Sequence, residues 1–328
     1  MQSRKTSVDL WHQKPYYSLD AWCKNTYGRK LYKAALDIGC TCPNRDGTLD
    51  TRGCIFCSAG GSGDFAASRQ LSVTDQLNQA KALLSSKWTP EPGKPSLIAY
   101  FQAYTNTYGD PDRLLSCYEE ALSSPEVAGI SIATRPDCLS DIILEGLDRL
   151  QLLYPDRFIW IELGLQSIHD HTAARIRRGY PTSVFYDAAA KLHARRLTFI
   201  VHLILGLPGE TRLDLLESIR AVNQVHPFGV KLQLLHILKG TDLALLYEAG
   251  KLPVLTQEEY LDLLTSCIAA LSPDICLHRV TGDGPRKLLI APQWSLSKRN
   301  VLNGLHALMK QRNLRQGDNY EPGTSYTL

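Results

Sequence analysis

Six short apolar runs, spread through the first two thirds of the chain, limit most sharply what it can fold into. They are Tyr32–Ile38, Ser96–Gln102, Val127–Thr134, Phe158–Gln166, Thr198–Leu205 and Gly229–Ile237. Each is continuous rather than alternating, the pattern of parallel strands covered on both faces. Helix candidates fill the gaps. Ser72-Val73-Thr74-Asp75 reads as a capping-box start, with Leu77, Ala80, Leu83 and Leu84 following at helical spacing. Pro111–Ser124, Ser140–Tyr154, Pro181–Arg195 and Thr211–Val225 complete the set. Six strand–helix units predict an α/β fold, a partial (β/α)6 TIM-like barrel over residues 32–240. Residues 1–31 make an N-terminal segment. Past residue 240 the alternation breaks into helices at Thr241–Gly250, Thr256–Leu271 and Ser295–Gln311, with one strand at Ile275–Val280. This predicts a mainly helical C-terminal extension over 241–315 and a flexible polar tail over 316–328.

In such barrels the chemistry sits at the carboxyl ends of the strands. The loop after the first run carries Cys42, Cys54 and Cys57, in Cys42-Pro43-Asn44-Arg45-Asp46-Gly47 and Cys54-Ile55-Phe56-Cys57-Ser58. Three thiolates on one loop suit a cubane iron–sulfur cluster held by three of its irons, with the fourth open to a reactant. Cys40 stands two residues before Cys42, so a four-cysteine zinc knuckle fits the spacing as well. Cys40-Thr41-Cys42 is one residue too tight for the usual knuckle turn, and Phe56 offers a flat rest for a planar ligand. The spacing leaves both metals open.

Composition sets the compartment. The chain has 328 residues, 44% of them hydrophobic and 21% charged, as in a soluble globular protein. No apolar run is long enough to span a membrane, and no signal-peptide pattern follows Met1. Nine cysteines, mostly scattered, fit a reducing cytoplasm. Cys23, Cys117, Cys138, Cys267 and Cys276 read as ordinary small buried residues. A net charge of +3 does not describe a whole-surface nucleic-acid binder. Two local basic clusters stand out: Lys24, Arg29, Lys30 and Lys33 before the cysteines, and Lys298, Arg299, Lys310, Arg312 and Arg315 near the end.

Polar residues close the apolar runs. The second ends in Gln102-Ala103-Tyr104-Thr105-Asn106, the third in Thr134-Arg135-Pro136-Asp137. The fourth carries Glu162 and Gln166, with Arg178 twelve residues on; the fifth carries His202 and Gly206-Leu207-Pro208-Gly209-Glu210. A single His or a Gly-Pro turn is by default structural. So many strand ends on the cysteine face are hard to ascribe to packing alone.

Together these residues resemble the radical S-adenosylmethionine (SAM) superfamily, in its YhcC-like branch, which is related to the catalytic subunit of Elongator, a tRNA wobble-uridine modifier. The motifs are the cysteine stretch with Gly53 before Cys54 and Gly61-Ser62-Gly63-Asp64-Phe65 after it. The likeness runs from residue 15 to about 310. The commonest superfamily motif has three residues between its first two cysteines; eleven intervene here, as in that branch. No acetyltransferase-like domain is matched, so acetyl-CoA use is not carried over.

The resemblance implies roles residue by residue. Cys42, Cys54 and Cys57 would bind a [4Fe-4S] cluster whose open iron chelates SAM. Phe56 would lie near the adenine. Gln102, Ala103 and Tyr104 occupy the place of a segment whose carbonyls receive the SAM ammonium. Gln166 and Arg178 match a pair that in coproporphyrinogen-oxidising relatives holds the ribose and the SAM carboxylate. Thr134 and Glu162 are further pocket candidates, His202 would face the ribose, and Gly206 and Leu207 would close over the adenine. Tyr104 and His236 are the catalytic candidates on the substrate side, with Lys239, His278 and Arg279 beside them. The implied activity is reductive cleavage of SAM, with flavodoxin or ferredoxin as electron donor. tRNA is the implied substrate. A small metabolite or peptide is the second reading, and a non-enzymatic zinc or iron–sulfur RNA adaptor the third.

Overall fold

The computed structural model describes residues 10–61, 63–84, 93–282 and 284–322. Contacts divide the chain into two compact units. One comprises Lys30–Gly164 and Arg178–Phe199; the other comprises the segment up to Arg29, Leu165–Arg177 and everything from Ile200 onward.

In the first unit, strands β1 (Tyr32–Leu36), β2 (Leu97–Phe101), β3 (Val127–Thr134) and β4 (Phe158–Gln166, whose last two residues fall in the other unit) pair in chain order, all parallel. Their registers pair Tyr32 with Leu97, Ile98 with Gly129 and Gly129 with Phe158. Every residue of β2 is buried, as a strand covered on both faces requires. Helices α1 (Leu19–Tyr27), α2 (Val73–Leu84), α3 (Pro111–Ser123), α4 (Asp141–Leu153), α5 (Asp170–Arg175) and α6 (Thr182–Ala194) follow in the chain, and α2, α3, α4 and α6 belong to this unit. Their starts follow from local chemistry. The Asp110 carboxylate accepts from the Asp112 amide ahead of Pro111, and Ser140 accepts from Ile143. Ser72 accepts from the Asp75 amide and donates back to the Asp75 carboxylate.

In the second unit, β5 (Thr198–Leu205, whose first two residues fall in the first unit), β6 (Gly229–Leu234) and β8 (Cys276–Arg279) are parallel neighbours, with Ile200 opposite Gly229 and Gly229 opposite Cys276. β7 (Ile237–Leu238) and β9 (Leu289–Ala291) form a small antiparallel pair. Helices α7 (Arg212–Val225), α8 (Asp242–Glu248), α9 (Gln257–Ala270) and α10 (Lys298–Gln311) complete it, α7 and α9 opening on Thr–acid capping boxes.

Three features depart from the sequence reading. The strand assigned to the C-terminal extension joins the parallel sheet beside β6 as a further strand. Its sequence, Cys276-Leu277-His278-Arg279, is too short and mixed to betray sheet membership; pairing with β6 decides it. Second, Gln316 is 3% exposed rather than part of a loose tail. Its side-chain amide donates to the carbonyls of Ser272 (2.7 Å) and Ile275 (2.8 Å) and accepts from the Tyr17 amide (2.9 Å). Residues 323–328 of the expected tail lie outside the described residues. Third, Lys33 is not a surface charge. Its ammonium lies 2.9 Å from Glu162 and 4.3 Å from the centre of the Tyr100 ring.

Candidate active site

The cysteine loop leaves β1 at its carboxyl end and is closed by its own side chains. Arg45 reaches across it to donate to the carbonyls of Cys57 (2.8 Å) and Ser58 (2.7 Å). Its path runs directly over Gly53, whose amide bonds Asn44 O at 2.7 Å. A Cβ on Gly53 would sit 2.8 Å from Arg45 Nε, and Gly53 is at φ +75°, so both space and backbone demand glycine. The Asn44 amide donates to the carbonyl of Arg178 (3.1 Å) and points a proton at Cys54 Sγ (3.6 Å). Asn44 and Arg45 together thus reach Cys54, Cys57 and Ser58 from the first half of the loop.

The loop then lies down on the end of β2. Tyr104 donates its amide to Gly61 O (2.8 Å) and its hydroxyl to Ala59 O (2.5 Å). A Cβ on Gly61 would be 2.3 Å from the Tyr104 ring. The ring is flanked by the guanidinium groups of Arg45 and Arg69, 5.9 and 5.7 Å from its centre. The hydroxyl offered as a catalytic candidate is therefore a strut beneath the cysteine loop. Ala103 is buried, Gln102 and Phe56 are half-buried, and the Gln102 side chain has no partner among the described residues.

Electrostatics separate the sulfurs. Burial, then the neighbouring Cys57 and Cys42, push the Cys54 thiol up to about 12; Arg135 and the Asn44 amide pull the other way. Three thiols this close ionise together only with a cation among them, and a bound metal deprotonates such ligands outright. The donor set therefore fits an iron cluster. Cys40 is 3% exposed and has other neighbours: burial raises its thiol to about 11, beside Arg113, Asp37 and Cys117. Its neighbours are Arg113, Asp37 and Cys117 rather than the trio, which counts against the four-cysteine knuckle.

Arg135, quoted in the strand-end motif but not chosen as a site residue, stands in the neighbourhood of Cys42, Cys54 and Cys138. Its fork grips Asp137 at 2.9 and 2.7 Å, and its remaining nitrogen donates to Arg178 O at 2.9 Å. Burial opposes its charge, but the Asp137 pair more than restores it. A guanidinium followed by Pro and an acid at a strand end was the available signal. Cys138 also proves less ordinary than its isolation in sequence suggested. Burial first, then Asp137 and Cys42, raise its thiol to about 12.

Arg178 is buried beside Tyr180. Its side chain is 2% exposed, donating to Tyr180 O (3.1 Å) and Thr182 Oγ1 (2.8 Å) and lying 4.5 Å from the Tyr180 ring centre. Its carbonyl, not its guanidinium, meets Asn44 and Arg135. Thr134 shares its hydroxyl with Thr107 at 2.5 Å. Glu162 is 1% exposed, held by Ser131 Oγ at 2.6 Å and by Lys33. The remaining candidates belong to the other unit. Gln166 ends β4 at φ +63°, Gly206 turns the chain after β5 at φ +88°, and Leu207 is 2% exposed. His202 lies opposite Lys231 on β5 and β6. His236 Nε2 lies 3.1 Å from Ser295 Oγ, and burial, with Lys298 and Arg279 nearby, lowers its pKa to about 4.

Residues 42–222 match the Radical SAM superfamily and residues 227–311 the Radical_SAM C-terminal domain. The uncharacterised protein YtqA of Bacillus subtilis is 40% identical over 305 residues, 93% of this chain and 92% of its own. YhcC of Escherichia coli K12 is 36% identical over 271 residues, covering 82% of this chain and 84% of its own. Among solved structures, Elp3 of the archaeon Methanocaldococcus infernus superposes with a TM-score of 0.61 at 17% identity, over 75% of this chain and 61% of that one. That likeness bears on the fold, a parallel α/β partial barrel with a helical C-terminal region. No helix among the described residues is long and apolar enough to cross a membrane. The chain belongs to the radical SAM superfamily, an enzyme of that class whose cofactors are a [4Fe-4S] cluster and SAM.

Proposed function

We propose that Cys42, Cys54 and Cys57 are the cluster ligands and that the loop cinched by Arg45 is the catalytic centre. The observation that carries this reading is the clamp itself: Arg45 and Asn44 hold both halves of the cysteine loop, and Arg135 brings positive charge beside the sulfurs. When bound, the cluster and SAM supply one-electron cleavage of a sulfonium–carbon bond, giving methionine and a 5′-deoxyadenosyl radical that takes hydrogen from a substrate. The chain's part is to hold and shield. Asn44 directs an N–H at Cys54 Sγ, Arg135 offsets thiolate charge, and the half-buried Phe56 is the proposed rest for a planar group. The backbone at Gln102, Ala103 and Tyr104 is set by Tyr104's bonds to Gly61 and Ala59, so it can present fixed carbonyls to an ammonium. The SAM-side roles of Gln166, His202, Gly206 and Leu207 rest on the resemblance alone. The guanidinium best supported beside the cluster is Arg135, with Arg178 contributing its carbonyl.

The proposed substrate is RNA, the class implied by the Elongator-like cysteine loop. A specific observation favours a small metabolite or peptide instead: at least three of the nine basic residues in the two clusters are paired with carboxylates. Lys24 meets Asp20 at 3.0 Å, Lys33 meets Glu162, and Arg312 meets Asp262 at 2.5 Å.

Anaerobic reconstitution with iron and sulfide, then dithionite and SAM, tests the chemistry by the appearance of 5′-deoxyadenosine. Cys54→Ala should lose cluster and product, whereas Cys40→Ala and Cys138→Ala should keep the cluster. Arg45→Ala, which removes two charge-assisted bonds worth about 1.5–3 kcal/mol each, should lower cluster occupancy while the protein stays folded. A cluster lost with Cys40→Ala, or none in wild type, overturns the ligand assignment.

A further inference from the structure

A second group of metal-ligating side chains lies outside the cysteine loop. His169 follows β4 and precedes α5; Asp214 and Glu217 sit three residues apart in the opening turns of α7. His169 Nε2 is 3.7 Å from Asp214 Oδ1 and 3.7 Å from Glu217 Oε2, and the three ligand atoms all lie within 4.8 Å of one another. The spacing of i and i+3 puts both carboxylates on one helix face. Asp214 divides its oxygens: Oδ2 is taken by the Thr211 amide and hydroxyl at 2.8 and 2.7 Å, leaving Oδ1 toward the imidazole. A second imidazole, His171, has its ring centre 5.4 Å from that of His169.

The surroundings fix these groups in place. The Ile168 amide bonds Ser218 Oγ at 3.2 Å, one residue past Glu217, and the His169 amide bonds Ser167 Oγ at 3.0 Å. Ser167 in turn donates to Glu210, at the end of the Gly206–Glu210 turn. His169 Nε2 also lies 3.0 Å from the Asp214 carbonyl, a bond it forgoes when that nitrogen takes a metal.

We propose that His169, Asp214 and Glu217 form a binding site for a borderline divalent cation of the zinc class. Imidazole with carboxylates is a donor set such ions accept, and ligand atoms 3.7 Å apart need to close by only a few tenths of an ångström around bonds of about 2.0–2.2 Å. The ion's work is positional. It pins the segment that follows Gln166, the last residue of β4, to the first turns of α7 and so to the turn after β5.

The test measures zinc, iron and acid-labile sulfide in the same sample of cluster-loaded protein, after micromolar zinc and desalting. Wild type should keep one zinc per chain. Glu217→Gln, a half-exposed position that does not threaten the fold, and His169→Ala should both lose it while iron and sulfide stay unchanged. Zinc should raise the melting temperature of wild type and not of Glu217→Gln. Wild type that holds no zinc, or both variants holding as much as wild type, overturns the site and leaves His169 as a neighbour of the two carboxylates only. Iron and sulfide in the same sample report the cysteine loop separately, so failure of one site is not read as failure of the other.

Discussion

His236 shows how a single residue changes meaning between sequence and structure. In sequence it is a substrate-side imidazole; in the fold it is largely buried, bonded to Ser295 and held neutral by burial and by the positive Lys298 and Arg279. Its folded pKa, about 4, lies below the value near 6.5 expected when unfolded. The unfolded chain therefore binds the extra proton first as pH falls. The stabilising contribution is whole above pH 6.5, shrinks between 6.5 and about 4, and levels off below that. The full swing is on the order of 3 kcal/mol. Melting temperature measured against pH should fall less steeply over this window in His236→Gln than in wild type; parallel curves would remove the claim. The same contrast holds for Glu162, whose carboxylate is spent on Lys33 and Ser131. A sequence shows a charge on a strand but not which cation lies across the sheet.

At the scale of elements, local signals carried far. The capping residues Ser72, Asp110, Ser140, Thr211 and Thr256 each cap the helix they precede, because capping involves neighbours a few residues apart. β8 escaped the same reading, since sheet membership depends on pairing with a strand more than forty residues earlier. What secures that region is one amide. Gln316 binds the Tyr17 amide and the Ser272 and Ile275 carbonyls, joining the N-terminal segment, the approach to β8 and the turn after α10. Gln316→Ala strands these backbone groups in a buried place, which costs about 3 kcal/mol at about 1–3 kcal/mol per unpaired group. Thermal unfolding should drop by several degrees, and Gln316→Glu should also destabilise, because a carboxylate cannot donate to two carbonyls. A melting temperature within a degree of wild type in both variants would show that the clip is dispensable.

For the molecule as a whole, charge is the quantity that bears on its partner. The net +3 leaves no large excess for a phosphate backbone, and several basic residues are paired internally. If RNA is the substrate, tRNA binding should weaken with salt. Neutralising Lys298 and Arg299 together should then cut the slope of log K against log salt by up to about 2, near 0.9 for each phosphate no longer neutralised. Salt-insensitive or absent binding hands the function to the small-molecule reading. The sequence alone determined the strand–helix alternation, the cysteine loop and hence the superfamily, because these depend on residue type and on spacing along one stretch of chain. Tertiary structure decided which side chains serve that loop. Arg45 cinching it, Asn44 and Arg135 meeting on the Arg178 carbonyl, and Cys40 turned toward Arg113 are relations between atoms brought together through space. Burial and pairing, which no single residue's identity reveals, join the Arg178 carbonyl to Asn44 and Arg135 and set the strand-end Arg135 beside the sulfurs.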